Sequence, residues 1–188
     1  GYNYPDGSSV YRLMPNGDLD VTFGAGGRRD PGINGVFGLV LQPDGKFVVG
    51  GSAYAGSAEG FGLARLRAAG PVDTSFGRHG PGIVSSAFGS GGAYARKLLL
   101  QSDGKVVAIG FTNAGSSATF NAIALARYLP DGSLDTTFGA GGQQTYNVDS
   151  GTYIYPNDAA LQSDGKIVVA GSFTTYNGTC LLYTSPSP

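Results

Sequence analysis

Short apolar runs separated by turn-forming residues extend along the whole chain, and none of them is long. Three of these runs each follow an Asp-Gly-Lys triplet, at 47–49, 106–109 and 167–170. They lack a clean alternation of apolar and polar positions, which is typical of strands covered on both faces. The pattern therefore predicts an all-β protein whose sheets stack face to face.

The apolar runs belong to a tandem repeat of about sixty residues. One repeated block begins at Gln42 (QPDGKFVVGG), at Gln101 (QSDGKVVAIG) and at Gln162 (QSDGKIVVAG). A second block keeps step with the first and reads YRLMPNGDLDVTFGAGG from Tyr11, ARLRAAGPVDTSFGRHG from Ala64 and ARYLPDGSLDTTFGAGG from Ala126. Segments of variable length separate the blocks, and such segments are typical of loops.

The first block predicts a β-hairpin. Asp103 and Gly104 stand between two apolar runs, and Asp-Gly suits a two-residue type I′ turn. With these two residues at the tip, Leu100 should face Val107. The same turn is expected at Asp44-Gly45 and Asp164-Gly165.

The second block predicts another hairpin with an Arg before its turn and an Asp after it. A two-residue turn would place each Arg diagonal to its Asp, about 7 to 8 Å away and within reach of the long side chain. As an exposed pair it would contribute at most about 1 kcal/mol. A Phe that follows each Asp is expected to plug the core. The three sets are Arg12, Asp20 and Phe23; Arg65, Asp73 and Phe76; and Arg127, Asp135 and Phe138.

One complete unit therefore contains four strands, expected around 97–101, 105–110, 122–129 and 143–148. Four antiparallel strands is the sheet size of a propeller blade. Residues 1–179 then contain the third and fourth strands of one unit, two full units, and the first two strands of another. About three blades cannot close a ring, since a propeller typically needs four to eight. We expect either more repeats in the intact protein, which we favour, or pairing with another chain.

With these motifs, the chain resembles the delta-60 repeat family of tandem bacterial repeats. The resemblance rests on QSDGKIVVAG at 162–171 and ALARYLPDGSLDTTFGAGG at 124–142, and it implies a partial β-propeller. It implies no activity, catalytic residue or cofactor. The tail at 180–188, CLLYTSPSP, resembles a translated sequencing-library adapter, which would make it non-native; the alternative is a natural Ser/Pro linker.

Composition narrows the choice of partners. The chain has 33 Gly, only 13% charged residues, 41% hydrophobic residues and a formal net charge of −1. No basic field exists to hold a nucleic acid. No apolar run approaches the roughly 20 residues that cross a bilayer, so membrane insertion is not expected.

The chain contains few of the residue types that catalyse reactions or bind metals. With one His, one Glu and one Cys in the chain, no nucleophilic triad or His-based zinc site can be assembled. We expect no enzyme activity, no cofactor and no metal site within this segment; the alternative for a metal is calcium at the central channel of a propeller, with ligands from several blades. His79 and Glu59 are expected to be exposed loop residues. The repeated Lys46, Lys105 and Lys166 are expected to be solvated or to protect strand edges; the alternative is a track for phosphate or an acidic polymer.

Aromatic residues in the variable segments are the best binding candidates, because aromatic faces suit sugars and peptides. We select Tyr54, Phe61, Tyr94, Phe120 and Tyr176; Phe111, Tyr153 and Tyr155 are the other aromatic candidates in these variable segments. The alternative for Phe61 and Phe120 is that they begin the third strand of their units.

These observations favour a non-catalytic propeller segment that acts as a scaffold or binding module for a protein or glycan through its variable loops. Low Lys content and abundant small polar residues are compatible with a bacterial protein that is extracellular or on the cell surface. The alternatives are a segment of a propeller enzyme acting on glycans, with its catalytic residues in other blades, and a purely structural spacer.

Overall fold

A computed structural model describes residues 8–77, 82–113, 122–147 and 152–175. These residues form twelve β-strands, and no helix among them is long and apolar enough to cross a membrane. The strands are β1 Val10–Tyr11, β2 Arg28–Arg29, β3 Asn34–Leu41, β4 Phe47–Ala55, β5 Ala58–Leu66, β6 Ile83–Ser86, β7 Ala93–Leu100, β8 Val106–Thr112, β9 Ala122–Tyr128, β10 Gln143–Asn147, β11 Thr152–Leu161 and β12 Ile167–Thr175.

The strands form four antiparallel sheets in which each strand pairs with the next along the chain. Two sheets are complete meanders, β3-β4-β5-β6 and β7-β8-β9-β10. The other two contain two strands each among the described residues, β1-β2 before them and β11-β12 after them. The predicted all-β fold with four-stranded units is confirmed.

The hairpin turns differ from the predicted type. The Gly104 N–H donates to the Gln101 carbonyl at 3.0 Å, and Leu100 pairs with Val106 rather than with Val107. Gly104 has a φ of +82°, whereas no described residue other than glycine has a positive φ. The loop is therefore a type I turn followed by a glycine bulge. The type I′ prediction was wrong, because a type I′ turn needs a positive φ at Asp103 and the φ of Asp103 is not positive. The Asp103 side chain accepts the Lys105 N–H through Oδ1.

The same shift by one residue changes the second hairpin. The Asp73 N–H donates to the Arg65 carbonyl at 2.7 Å, and the Asp135 N–H donates to the Arg127 carbonyl at 2.8 Å. Each Arg therefore lies directly opposite its Asp instead of diagonal to it.

The sheets stack face to face and enclose three apolar cores. Val49 packs with Phe23 and Phe47 in the core between β1-β2 and β3-β6. Its neighbour Val48 points the other way, into the core shared with β7-β10. Val107 and other residues of that sheet form the third core with β11 and β12.

This stacking determines whether each of the three apolar runs is buried on one face or on both. Residues 47–49 and 106–109 are buried on both faces, as predicted. Residues 167–170 are half-buried or exposed, so the prediction was wrong there. Only one face of β12 has a sheet against it among the described residues.

Neighbouring sheets meet at their first strands. β7 contacts β3, β4 and β5 of the preceding sheet, and β11 contacts β7. Glycines allow this close approach: a Cβ on Gly50 would lie 2.9 Å from Leu98 Cδ2, and one on Gly38 would lie 3.2 Å from the Leu98 N. The wedge-like arrangement is the one that blades adopt around a propeller axis.

We predict that Gly50→Ala and Leu98→Ala are each destabilising but not additive. Gly50→Ala overfills the joint and should cost about 1 to 3 kcal/mol, while Leu98→Ala leaves a cavity and should cost about 2 to 5 kcal/mol. In the double variant the added methyl occupies part of the cavity, so urea denaturation should show less than the summed loss. Leu66→Ala, in a different core, is the control and should add to Gly50→Ala. If the losses of unfolding free energy in Gly50→Ala and Leu98→Ala also add, the packing of Leu98 against Gly50 is contradicted.

Candidate functional site

The stacked sheets have two ends with different connections. Because consecutive strands are antiparallel, the turns between first and second strands and between third and fourth strands lie at the same end. The turn end holds the tight hairpin loops, at residues 42–46, 67–71, 101–105 and 129–133. The loop end holds the connections between second and third strands and the crossings between sheets, including residues 55–58 and 87–92.

At the turn end, a repeated arginine joins neighbouring units. Arg65 Nε donates to Asp73 Oδ2 at 3.0 Å, and Arg65 Nη2 donates to Ser75 Oγ at 3.0 Å. The guanidinium lies over the Phe76 ring, 4.8 Å from its centroid. Arg65 Nη1 donates to the Pro130 carbonyl of the next unit at 2.7 Å. The Arg65 side chain therefore connects the two strands of its own hairpin and also binds the hairpin turn of the next unit.

Two other copies repeat these contacts. Arg12 makes all four, to Asp20, Thr22, the Phe23 ring and the Ala68 carbonyl of the next unit. Arg127 makes the three within its own unit, to Asp135, Thr137 and the Phe138 ring. The ion pairs predicted from sequence are confirmed, and the pair of Arg65 and Asp73 is buried, at 8% and 2% exposure, so the figure for an exposed pair does not apply to it.

Repeated glycines complete the joint between units. The Gly77 N–H donates to the Asp131 carbonyl at 2.7 Å, and the Gly24 N–H donates to the Ala69 carbonyl at 2.9 Å. A Cβ on Gly132 would lie 2.9 Å from the Gly77 N, so a side chain has no room there. The acceptor in this contact between units is a backbone carbonyl, so it does not depend on the side chain. Ala69 can therefore occupy the repeat position that Asp131 occupies in the third copy.

The repeated lysines are paired within their own sheets. Lys46 Nζ lies 3.2 Å from both Asp44 Oδ2 and Asp73 Oδ2. Lys105 repeats this, at 3.0 Å from Asp103 and 3.4 Å from Asp135. Each of these lysines is bracketed by two carboxylates, so they do not form a positive track. Their structural role is to tie the first hairpin of a sheet to the second.

The buried carboxylates are held in their charged form. Burial by itself would raise the pKa of Asp73, but hydrogen bonds from the Ser75 hydroxyl and N–H, with Lys46 and Arg65 nearby, outweigh it and hold the pKa well below 3.8. The Thr137 hydroxyl does most to lower the pKa of Asp135 in the same way.

We predict that Asp73 contributes stability that is lost in acid. Asp73→Asn leaves Arg65 without its buried counter-charge and should cost about 3 to 5 kcal/mol at neutral pH. The unfolded chain takes up a proton near pH 3.8, whereas the folded carboxylate does so only at lower pH. The difference in unfolding free energy between wild type and variant should therefore shrink as the pH falls below about 5.

Urea denaturation at a series of pH values measures this difference. Asp18→Asn, at an exposed position in a hairpin turn, is the matched control and should show a small difference at every pH. An Asp73→Asn difference that stays constant down to pH 3 would contradict the coupling.

The loop end contains a carboxylate held by hydroxyl groups from two sheets. Ser52 Oγ donates to Glu59 Oε1 at 2.7 Å, and the Tyr94 hydroxyl donates to Glu59 Oε2 at 2.6 Å. Glu59 is half-buried on β5, so the expectation of a solvated loop acid was wrong. The hairpin between β4 and β5 is tight enough to bring Glu59 into the strand, where Tyr94 of the next sheet reaches it.

An aromatic row continues from this carboxylate across the following sheets. The Tyr94 ring lies 5.5 Å from Phe111, and Phe111 makes an edge contact with Tyr155 at 5.8 Å. Tyr54 pairs across the strands with Glu59 and is 65% exposed. We call Tyr54, Glu59, Tyr94, Phe111 and Tyr155 the loop-end cluster.

The structure separates the sequence-selected aromatics into groups. Tyr94 donates a hydrogen bond to Glu59 and Tyr54 pairs with Glu59 across the strands, whereas Phe61 is fully buried with its ring 4.6 Å from Phe88. The side chain of Phe61 therefore packs the core, in agreement with the alternative that it belongs to the third strand. Tyr153 is half-buried on β11. Phe120, Tyr176 and His79 lie outside the described residues.

A groove of about 470 Å³ opens where the crossing at residues 88–90 faces β8 and β10 of the second complete sheet. Its lining includes Ser90, Thr112, Asn113 and Gln144. Asn113 Oδ1 is buried and has no hydrogen-bond partner among the described residues. Binding sites for small ligands commonly have volumes of about 300 to 1,000 Å³. Among the described residues, no group of three or more His, Cys, Asp or Glu is placed to hold a metal ion.

Stacked four-stranded meanders that meet at their first strands define the chain as part of a β-propeller. A family model described as "Domain of unknown function (DUF5122) beta-propeller" matches residues 1–23, 42–76, 101–138 and 162–179, which together exceed half of the chain. The chain belongs to this family. A search of curated proteins finds no relative.

Three of the matched segments begin at the Gln of the first repeated block, and three end on the Phe that follows the repeated Asp. Residues 54 and 59 lie inside the second matched segment but outside both repeated blocks. Sequence reasoning named Tyr54 but missed Glu59 as a partner. The signal that could have found Glu59 was that it is the only Glu in the chain.

Proposed function

We propose that this propeller segment is a non-catalytic scaffold that binds a glycan or a protein at its loop end. The observation that carries the proposal is the loop-end cluster, where the exposed Tyr54 pairs across the strands with Glu59 and the orientation of the Glu59 carboxylate is set by Ser52 and Tyr94. The repeated motifs that begin at Gln42, Gln101 and Gln162, and the Asp-x-x-Phe-Gly motifs that begin at Asp20, Asp73 and Asp135, support assigning the units to the delta-60 type.

Separation of the two ends supports this role. At the turn end, the repeated Arg, Asp and Lys side chains are engaged in joining hairpins and units. At the loop end, the polar groups lie outside the repeated blocks, which is where binding residues on a rigid scaffold are expected.

The chemistry of the loop end suits a hydroxyl-rich or amide-rich ligand. Glu59 already accepts two hydroxyl donors, and each carboxylate oxygen can accept more than one hydrogen bond. Exposed tyrosines supply flat apolar faces with a polar edge. The groove beside Asn113 and Gln144 adds amide donors and acceptors. Low charge, at 13% of residues, and abundant small polar residues are in keeping with a place outside the cell.

We predict that Tyr54→Ala weakens binding roughly tenfold, equivalent to about 1.4 kcal/mol. Glycan and peptide arrays probed with the purified chain identify the ligand, and calorimetry then measures its affinity. Glu59→Gln, which keeps the shape but removes the charge, should also weaken binding.

Tyr146→Ala is the matched control, since Tyr146 is an exposed tyrosine on the fourth strand β10. Unchanged affinity in Tyr54→Ala and Glu59→Gln would remove the loop-end cluster from the binding surface. Absence of any array signal with the wild-type chain would favour a structural spacer.

A further inference from the structure

The groove beside the crossing at residues 88–90 is lined by uncharged groups. Its polar lining consists of the hydroxyls of Ser90, Thr112 and Thr145 and the carboxamides of Asn113, Gln143 and Gln144. Among the residues that the structure describes, no Asp, Glu, Lys or Arg lines it. A fully charged ligand group would therefore lose its water there without gaining a counter-charge, which is unfavourable.

The two glutamines of the groove are oriented by hydrogen bonds to backbone carbonyls. Gln143 Nε2 donates to the Ala87 carbonyl at 3.0 Å, and Gln144 Nε2 donates to the Thr145 carbonyl at 3.2 Å. A carbonyl oxygen only accepts, so each bond fixes which carboxamide atom is the nitrogen. Within the described parts of the chain, neither Oε1 atom accepts a hydrogen bond, so both remain available as acceptors.

Two residues at the end of β8 add further acceptors. Thr112 donates its only O–H to the Gly92 carbonyl at 3.1 Å, so its oxygen can only accept a further hydrogen bond. Asn113 Oδ1 is buried and has no partner in the described chain. Leaving a buried acceptor unpaired costs free energy, and a donor would recover it. The lining therefore has more free acceptors than free donors.

The Glu59 carboxylate extends this acceptor-rich surface. Glu59 and Phe61 are two positions apart on β5 and therefore lie on the same face of the sheet. The Phe61 ring packs 4.6 Å from Phe88, which lines the groove. The carboxylate and the groove thus belong to the same face of the first complete sheet. An ionised carboxylate only accepts hydrogen bonds, and it repels anions.

We propose that the ligand of the loop end is a neutral saccharide, part of which occupies the groove; this rests on the binding role proposed above. A saccharide presents closely spaced hydroxyl donors without a charge, and each hydroxyl can rotate to suit an acceptor. Uronate and sulfate groups are ionised and only accept, so acidic glycans match neither the groove nor Glu59. A peptide backbone brings one acceptor with each donor and matches the lining less well.

A glycan array with neutral, uronate-containing and sulfated members, together with a peptide array, tests the ligand class on the purified chain. Signal should be confined to neutral glycans. Calorimetry with the best neutral oligosaccharide should give an affinity that does not change with salt concentration, since no charge pair forms.

Two variants test the groove itself. Gln144→Met keeps the length of the side chain but removes its amide, and it should weaken binding of that oligosaccharide at least tenfold. Ser90→Ala, at an exposed position of the crossing, should weaken it severalfold. Gln162→Met is the matched control, because Gln162 is exposed in a hairpin turn away from the groove, and it should leave the affinity unchanged. Circular dichroism checks that each variant is folded.

The outcomes separate this inference from the proposed function. Signal only for acidic glycans or peptides would overturn the inference, as would equal affinity in wild type, Gln144→Met and Ser90→Ala. In either case, weaker binding by Tyr54→Ala would still support the proposed role of the loop-end cluster. Binding of a neutral glycan that depends on Gln144 but not on Tyr54 or Glu59 would support the groove and remove the cluster. No signal on either array would overturn both.

Discussion

The hydrogen bond from a repeated arginine to a backbone carbonyl of the next unit is the interaction on which the stacked architecture depends. Arg65 is held by Asp73 and Ser75 and reaches Pro130 from a fixed position. The burial of both charges is tolerable because each has several partners, and removing one partner would leave the other uncompensated. Adjacent Gly-to-carbonyl bonds give the joint a second point of attachment and limit rotation of one sheet against the next.

Joining the units at one end leaves the other end free to vary. The tight turns are constrained in length and residue type because they contact the preceding unit, as Gly132 contacts Gly77. Connections at the loop end carry no such repeated contact among the described residues, and their lengths differ from unit to unit. The loop-end cluster occupies this less constrained region, where Tyr94 and Tyr155 reach from one sheet towards the preceding one.

Much of the fold could be predicted because hairpins are local. The phased blocks indicated the strands, the order within a sheet and the Arg–Asp pairs. The turn type was missed by one residue, because Asp-Gly serves both a two-residue turn and a glycine bulge and only the backbone φ of Asp103 decides between them. Phe61 was selected as a binding residue because its burial could not be predicted from sequence. That burial depends on a contact with Phe88, which belongs to a different part of the repeat.

The sequence alone determined the repeat, the all-β class and the residues that would close each hairpin, because these depend on neighbours within a few positions along the chain. Tertiary structure decided which face of a strand meets which sheet, as with Val48 and Val49, and which polar groups converge. Glu59 and Tyr94 lie 35 residues apart and meet only when two sheets stack. Contacts of this kind depend on the spacing and rotation between units, which no local pattern encodes.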